Sequence, residues 1–437
     1  MQFLDSFFKL TENKTSVKTE ILAGLTTFLA MAYIIVVNPT LLHDAGMNYE
    51  AVFVATCLSA ALGTAIMGLL ANYPIALAPG MGLNGYFTYT VVKGMGLSWE
   101  IALGAVFFSG VLFILVTLTK LREILVNAIP RSIKFSIAAG LGLFLALLGM
   151  KSAGLVVSHP QTFVTLGDLH RPTVLLSALG FFLIFTLEHR KIPGSVIIGI
   201  LLITILGSLL GLNPAHFSSI SDFIAPIPSL APTFMKMDLK GAMSAGLIGI
   251  IFVFFLVDLF DTTGTLMGVA HRAKLLDQEG NLPRLNKALM ADTFAIVVGA
   301  ALGTSSTTAY VESAAGTAVG GRTGLTALVV ALLFIVTLWF SPLASAVPSY
   351  ATAPALCYIA VLMLHGLTEI DWDDITEAAP AALTAFTMPF TFSIADGIAF
   401  GFISYVCIKL LTGRWKQLTP AVIIIAALWV VKFSFFH

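Results

Sequence analysis

What most limits the folds open to this chain is the recurrence of apolar segments close to membrane length, from Ile21 to the C-terminus. A helix needs about 20 apolar residues to cross the hydrocarbon core of a bilayer. Such segments read as 21–39, 51–71, 76–92, 100–119, 133–152, 173–188 and 193–212. After a polar stretch they resume as 242–270, 288–303, 308–320, 323–341, 350–366, 379–394, 396–412 and 418–436. Charged residues make up only 11% of the chain, against about 25% in a soluble domain, and the mean hydropathy is +0.96. Such a chain cannot cover its surface in water, so the expected class is an all-α polytopic membrane protein with the lipid bilayer as its main partner. The net charge of +0 offers no basic field for nucleic acid.

Residues 1–20 carry lysines and acids without a cleavage site after a short apolar core, and read as a cytoplasmic leader. Basic residues orient the spans. With the N-terminus inside, Lys120, Arg122, Arg131 and Lys134 are cytoplasmic. So are Arg190, Lys191, Arg272, Lys274, Arg284, Lys287, Arg322, Lys409, Arg414 and Lys416. The long outer stretch after 212 divides the chain into halves of about seven spans, and seven being odd, the second half inserts upside down. Inverted repeats of this kind mark secondary transporters, whose sites form where interrupted helices meet. Each half has one such segment as its third span: Pro74–Gly85 and Gly303–Gly316, both rich in Gly, Pro or hydroxyl residues. Helix-breaking backbone at membrane depth is tolerated only where it lines a cavity or is buried in protein.

The ionisable residues narrow the reading further. A carboxylate at the middle of a span costs roughly 2.5–3.5 kcal/mol, and three lie in apolar surroundings: Asp258, Asp261 and Glu312. Asp258 and Asp261 are three residues apart and share a helix face. No Lys or Arg lies within either segment, so these acids are expected to share and exchange a proton rather than all ionise. Asn84 adds an amide at the end of a Gly-rich break, suited to the edge of a heterocycle. Gly82, Thr262 and Ser313 are secondary candidates. Carboxyls that merely hydrogen-bond between helices, and an Asn that merely caps a turn, are the plainer alternatives.

Other patterns carry less. Gly80–Gly85 matches the dinucleotide fingerprint G-x-G-x-x-G, but its flanks are membrane spans rather than a βαβ unit. Asp261-Thr-Thr-Gly264 is one residue off the aspartic-protease D-T-G and lies in a helix. Asp292 reads as a first-turn acid on the helix dipole, and Glu369–Glu377 as a solvated acidic loop in which Asp371 and Asp374 are replaceable. Cys57, Cys357 and Cys407 stand singly in apolar runs, as small buried residues do. The histidines are not spaced for metal.

With these residues in view, the chain resembles the AzgA-like purine permeases of the nucleobase:cation symporter 2 (nucleobase–ascorbate transporter) family. The stretches that carry the resemblance are Leu25–Pro39, Ala78–Phe87, Asp258–Thr265, Tyr310–Gly316 and Met388–Gly397. It implies about fourteen helices in two inverted repeats of seven. Residues 21–120 and 242–341 would form a core (transport) domain, 133–212 and 350–437 a gate domain, and 213–241 the connecting segment. The apolar segment 418–436 exceeds that plan. The resemblance also implies proton-coupled uptake of hypoxanthine, guanine or adenine by an elevator motion, with Asn84, Asp258, Asp261 and Glu312 as the functional positions. No cofactor other than the coupling ion is expected, and the expected setting is the plasma membrane, with a homodimer through the gate domain. One departure is local: related branches carry an acid or Gln followed by Asn in the tenth span, where this chain has Glu312-Ser313. A carrier of another planar base or an anion, and an intramembrane aspartyl enzyme, are the competing readings.

Overall fold

The computed structural model describes residues 2–119, 129–213, 223–243, 248–273, 275–277 and 282–435. Lys120, Arg122 and Lys274, three of the charges used to orient the spans, lie outside them, as does part of the 213–241 connection.

Short α1 (Gln2–Phe8) precedes α2 (Val17–Met31) and α3 (Ile34–Asp44), which together make the first crossing. The Ser16 side chain caps α2 by accepting from the Thr19 N–H. Then come α4 (Tyr49–Ile66), β1 (Leu77–Pro79), α5 (Met81–Gly85) and α6 (Trp99–Leu118). Both α4 and α5 are prolonged by wider helical turns, to Ala71 and Gly94. Helix α7 (Arg131–Ser152) leads through the hairpin β2 (Val156–His159) and β3 (Phe163–Leu166) to α8 (Pro172–His189) and α9 (Ser195–Leu209).

The second half follows the same order. It begins with the short α10 (Leu239–Ala242), then α11 (Ile248–Arg272), α12 (Leu285–Leu302), β4 (Thr307–Ala309), α13 (Ser313–Val319), α14 (Gly324–Thr337) and α15 (Ser341–Ser345). It closes with α16 (Ser349–Leu364), α17 (Ile375–Thr391), α18 (Ile394–Leu411) and α19 (Pro420–Phe435). Among the described residues ten helices are long and apolar enough to cross a membrane, and α9 and α19 are shorter apolar ones. The chain is a polytopic helical membrane protein built from two inverted repeats, each with a strand and a short helix where an unbroken span would otherwise run. The apolar segment expected at 418–436, unaccounted for by a repeat of seven, contributes the helix α19, packed on α18 through Phe400 and Phe433.

Helices pack in two sets. In one, α14 lies on α2 and α4, α12 on α4 and α6, and α11 on α6. In the other, α7 packs against α16 and α17, α8 against α9 and α16, and α17 against α18. Side chains at the closest approaches are small, as membrane packing favours. The two sets touch mainly where α5 meets α7, α11 meets α7 and α9 meets α2.

Candidate functional site

The two interrupted segments meet. Strands β1 and β4 pair antiparallel, Leu77 opposite Ala309, Ala78 opposite Thr308 and Pro79 opposite Thr307. This pairing answers the question that interrupted helices pose in a bilayer: each break finds its backbone partners in the other. It is supplemented by the Gly80 N–H donating to the Ser306 carbonyl (2.8 Å) and the Tyr310 N–H to the Ala76 carbonyl (2.9 Å). Gly80 is needed for the approach, since a Cβ there would lie 2.8 Å from the Thr308 methyl. Gly303, at φ +96°, ends α12 in a left-handed turn and so launches β4.

Around this crossing the anticipated residues fall into two groups. Asn84, Asp258, Thr262 and Ser313 are fully buried. The Asn84 amide donates to Asn38 Oδ1 (2.6 Å) and accepts from the Ser305 hydroxyl. Asn38 in turn donates to Thr56 (2.6 Å) and Thr304 (3.0 Å). Asp258 accepts from the Ser306 hydroxyl at 2.5 Å. The Ser313 hydroxyl accepts from the Ala76 N–H at 3.0 Å, and the Thr262 and Thr308 hydroxyls are 2.8 Å apart. These contacts tie α11, β1, β4 and the first crossing together.

Asp261 and Glu312 form the second group, half-buried and adjacent to the crossing. They act on each other electrostatically, and both act on Tyr310. Neither takes part in an ion pair among the described residues. One Glu312 oxygen accepts from the Tyr33 hydroxyl at 2.6 Å. Along α11 the next turns toward its C-terminus expose Gly264 and Gly268, and a Cβ at either would meet nothing within 4 Å. Gly82 packs against Leu141 of α7, which a Cβ there would meet at 3.3 Å.

Three expectations are corrected. Asp292 is not in a first turn: α12 begins at Leu285, and Asp292 lies fully buried a turn and more inside it, accepting from Thr262 at 2.9 Å. Glu369–Glu377 is not simply a solvated loop. Glu377 accepts from Lys409 (2.7 Å) and Ser132 (2.5 Å), and Asp374 both caps α17 and pairs with Arg414. Lys409, expected among inner-loop cations, is fully buried in α18, bonded also to Thr376 and Gln417. A cavity of about 490 Å³ opens beside this cluster, lined by Arg131, Glu369, Asp371 and Glu377 among others. The cysteine expectation holds for Cys57, but Cys407 is exposed on α18. Tyr33, Asn38, Ser305, Ser306 and Tyr310 were not singled out; the signal for the first two was a polar side chain each within the apolar stretch Leu25–Pro39.

Comparison with known proteins agrees with this architecture. A profile described as Permease family (Xan_ur_permease) matches residues 18–400. The adenine permease AdeP of Escherichia coli is 48% identical over 432 residues, covering 99% of this chain and 96% of that protein. The guanine/hypoxanthine permease PbuO of Bacillus subtilis is 44% identical, covering 97% and 99%. Among solved structures, the transmembrane domain of a cyanobacterium bicarbonate transporter, BicA, superposes with a TM-score of 0.64 at 16% identity, over 88% of this chain and 97% of that one. Sequence motifs, paired interrupted helices and full-length relatives converge: this chain is a transporter rather than an enzyme, and it belongs to the Permease family (Xan_ur_permease), that of the nucleobase:cation symporters its motifs resemble.

Proposed function

We propose that this protein imports purine nucleobases, adenine, hypoxanthine or guanine, together with protons. The observation that carries the reading is the pair Asp261 and Glu312, two half-buried carboxyls beside the crossing, outside any ion pair among the described residues. A purine presents N–H groups along its edge, and a carboxylate accepts them. Acids in a dry site without a cation hold charge at high cost, which favours loading and releasing a proton in each cycle. The relatives named adenine and guanine/hypoxanthine permeases support the purine assignment. The likeness to a bicarbonate transporter is one of fold; two carboxyls facing the site disfavour an anion.

In this reading Asp261 and Glu312 meet the ligand, Asp258 shares in the proton loading from its buried place beside them, and Asn84, Thr262 and Ser313 brace the crossing that presents them. Residues 21–120 and 242–341 move as a core against a gate formed by 133–212 and 350–437, joined by 213–241. The two packing sets and their few points of contact support that division. The N-terminus faces the cytoplasm of a cell whose plasma membrane holds the protein. In support, Glu20 accepts from the backbone N–H groups of Arg322 (2.9 Å) and Thr323 (3.3 Å), so two segments assigned inside by charge lie together.

The test is uptake of radiolabelled adenine, hypoxanthine, guanine and uracil into a host lacking its own permeases. Proteoliposomes with imposed pH or sodium gradients then identify the coupling ion. Purine accumulation that collapses with a protonophore and needs no sodium is expected. Accumulation that follows sodium alone would sink the proton mechanism, and uptake of uracil but no purine would sink the substrate assignment.

A further inference from the structure

The first crossing is broken at Ala32 and Tyr33, between the end of α2 and the start of α3. Tyr33 is 1% exposed, and its hydroxyl donates to Glu312 Oε1 at 2.6 Å across 279 residues of sequence. Beside it stands the Tyr310 hydroxyl, which itself donates to the Pro79 carbonyl of β1 at 2.5 Å. The first crossing, the β1 break and the β4 break thus converge on one carboxyl.

We propose that Tyr33 is a positioning residue for Glu312, holding one carboxyl oxygen so that the other faces the ligand. The inference rests on Glu312 meeting the ligand, as proposed above. A phenol keeps its proton near neutral pH. Its hydroxyl can donate to an ionised carboxylate or accept from a protonated one. Tyr33 can therefore hold Glu312 in one rotamer whether or not the proton is loaded, which a backbone N–H, a donor only, cannot do. Asp261 of α11 and Glu188 of α8 act on Glu312 electrostatically, as Tyr358 of α16 does on Tyr33. The tyrosine hydroxyl is the carboxyl's hydrogen-bond anchor.

The experiment uses full-length protein with Tyr33→Phe, Glu312→Gln and the double variant. Two readouts are taken: purine uptake kinetics, and the infrared carboxyl band that disappears in Glu312→Gln. Loss of a hydrogen bond to a charged group should raise KM at least ~10-fold in Tyr33→Phe with a smaller change in turnover. The Glu312 band should move in Tyr33→Phe, and the double variant, which lacks that band, is the control that assigns the movement to Glu312. An unmoved band or an unchanged KM would each overturn the proposal. Should Tyr33→Phe fail to reach the membrane, uniform 3-fluorotyrosine labelling replaces it. That label alters phenol acidity but little of the shape, and must move the Glu312 band. The band is read without purine, so a wild type that transports no purine but shows the Tyr33 effect would overturn the substrate reading while leaving the contact standing.

Discussion

Two groups of carboxylates in this molecule differ in the company they keep. At the crossing of β1 and β4, Asp261 acts electrostatically on Glu312, Glu312 accepts from the Tyr33 hydroxyl, and both acids lie outside any ion pair among the described residues. At the adjoining ends of α7, α17 and α18, Glu377 holds buried Lys409, and Asp374 holds Arg414. The second group is neutralised and locked, so its acids are structural. In the first, burial without a cation leaves each acid able to change its charge, and that is what a coupling site requires.

The comparison breaks most readily through a reciprocal pair of amides. Glu312→Gln should abolish purine uptake while leaving the melting temperature of the purified protein near that of the wild type. Glu377→Gln should do the reverse. Stripping the buried Lys409 of its charge partner costs on the order of 3 kcal/mol, so folded yield and melting temperature fall, while uptake per folded molecule persists. If both variants lose uptake and stability together, the distinction drawn between the two groups is false.

Asp258→Asn should come next in size. The amide keeps a carbonyl that can accept from Ser306, so the fold should survive while uptake drops severely; normal accumulation, assayed alongside surface expression, would remove Asp258 from the site. A smaller effect is expected at Asp374. Hydrogen bonds from the Thr376 hydroxyl and N–H, and then the Arg414 guanidinium, hold its carboxyl at about 2 against an ordinary 3.8. A depressed folded-state value means that its stabilisation is present above pH 3.8 and is lost as the pH falls toward 2. Melting curves of wild type and Asp374→Ala should therefore differ at neutral pH and converge at the acid end. A constant difference at every pH would argue against the carboxylate as the cause. Smallest of all, Asp371→Ala should leave uptake and melting almost unchanged: Asp371 is exposed and only accepts from the Asp373 and Asp374 N–H groups at 3.1 and 3.3 Å.

Much of this was legible before any fold was known, because the bilayer is a severe solvent. Unpaired carboxylates and broken helices are costly there, so Asp258, Asp261, Glu312 and the segments Pro74–Gly85 and Gly303–Gly316 stood out against an apolar background. The misreadings share a cause. Asp292 was misread because a helix boundary moved by three residues changes a dipole-stabilised acid into a buried one. Asp374 and Glu377 looked solvated because Lys409 and Arg414, which neutralise them, lie more than thirty residues further on.

Membrane residence, the order of spans and the identity of the unusual acids follow from local composition, since each depends on what a stretch of some 20 residues can place in hydrocarbon. What each polar group does depends on partners brought from elsewhere in the chain. Asn84 meets Ser305 and Asn38, Asp258 meets Ser306, Tyr33 meets Glu312, and Lys409 meets Glu377. A hydrogen bond acts over about 3 Å, a separation that no local pattern specifies for residues tens to hundreds of positions apart. Which acids stay partly exposed was therefore decided by the crossing of the two interrupted helices, where packing left Asp261 and Glu312 half-buried and closed over Asp258 and Asp292.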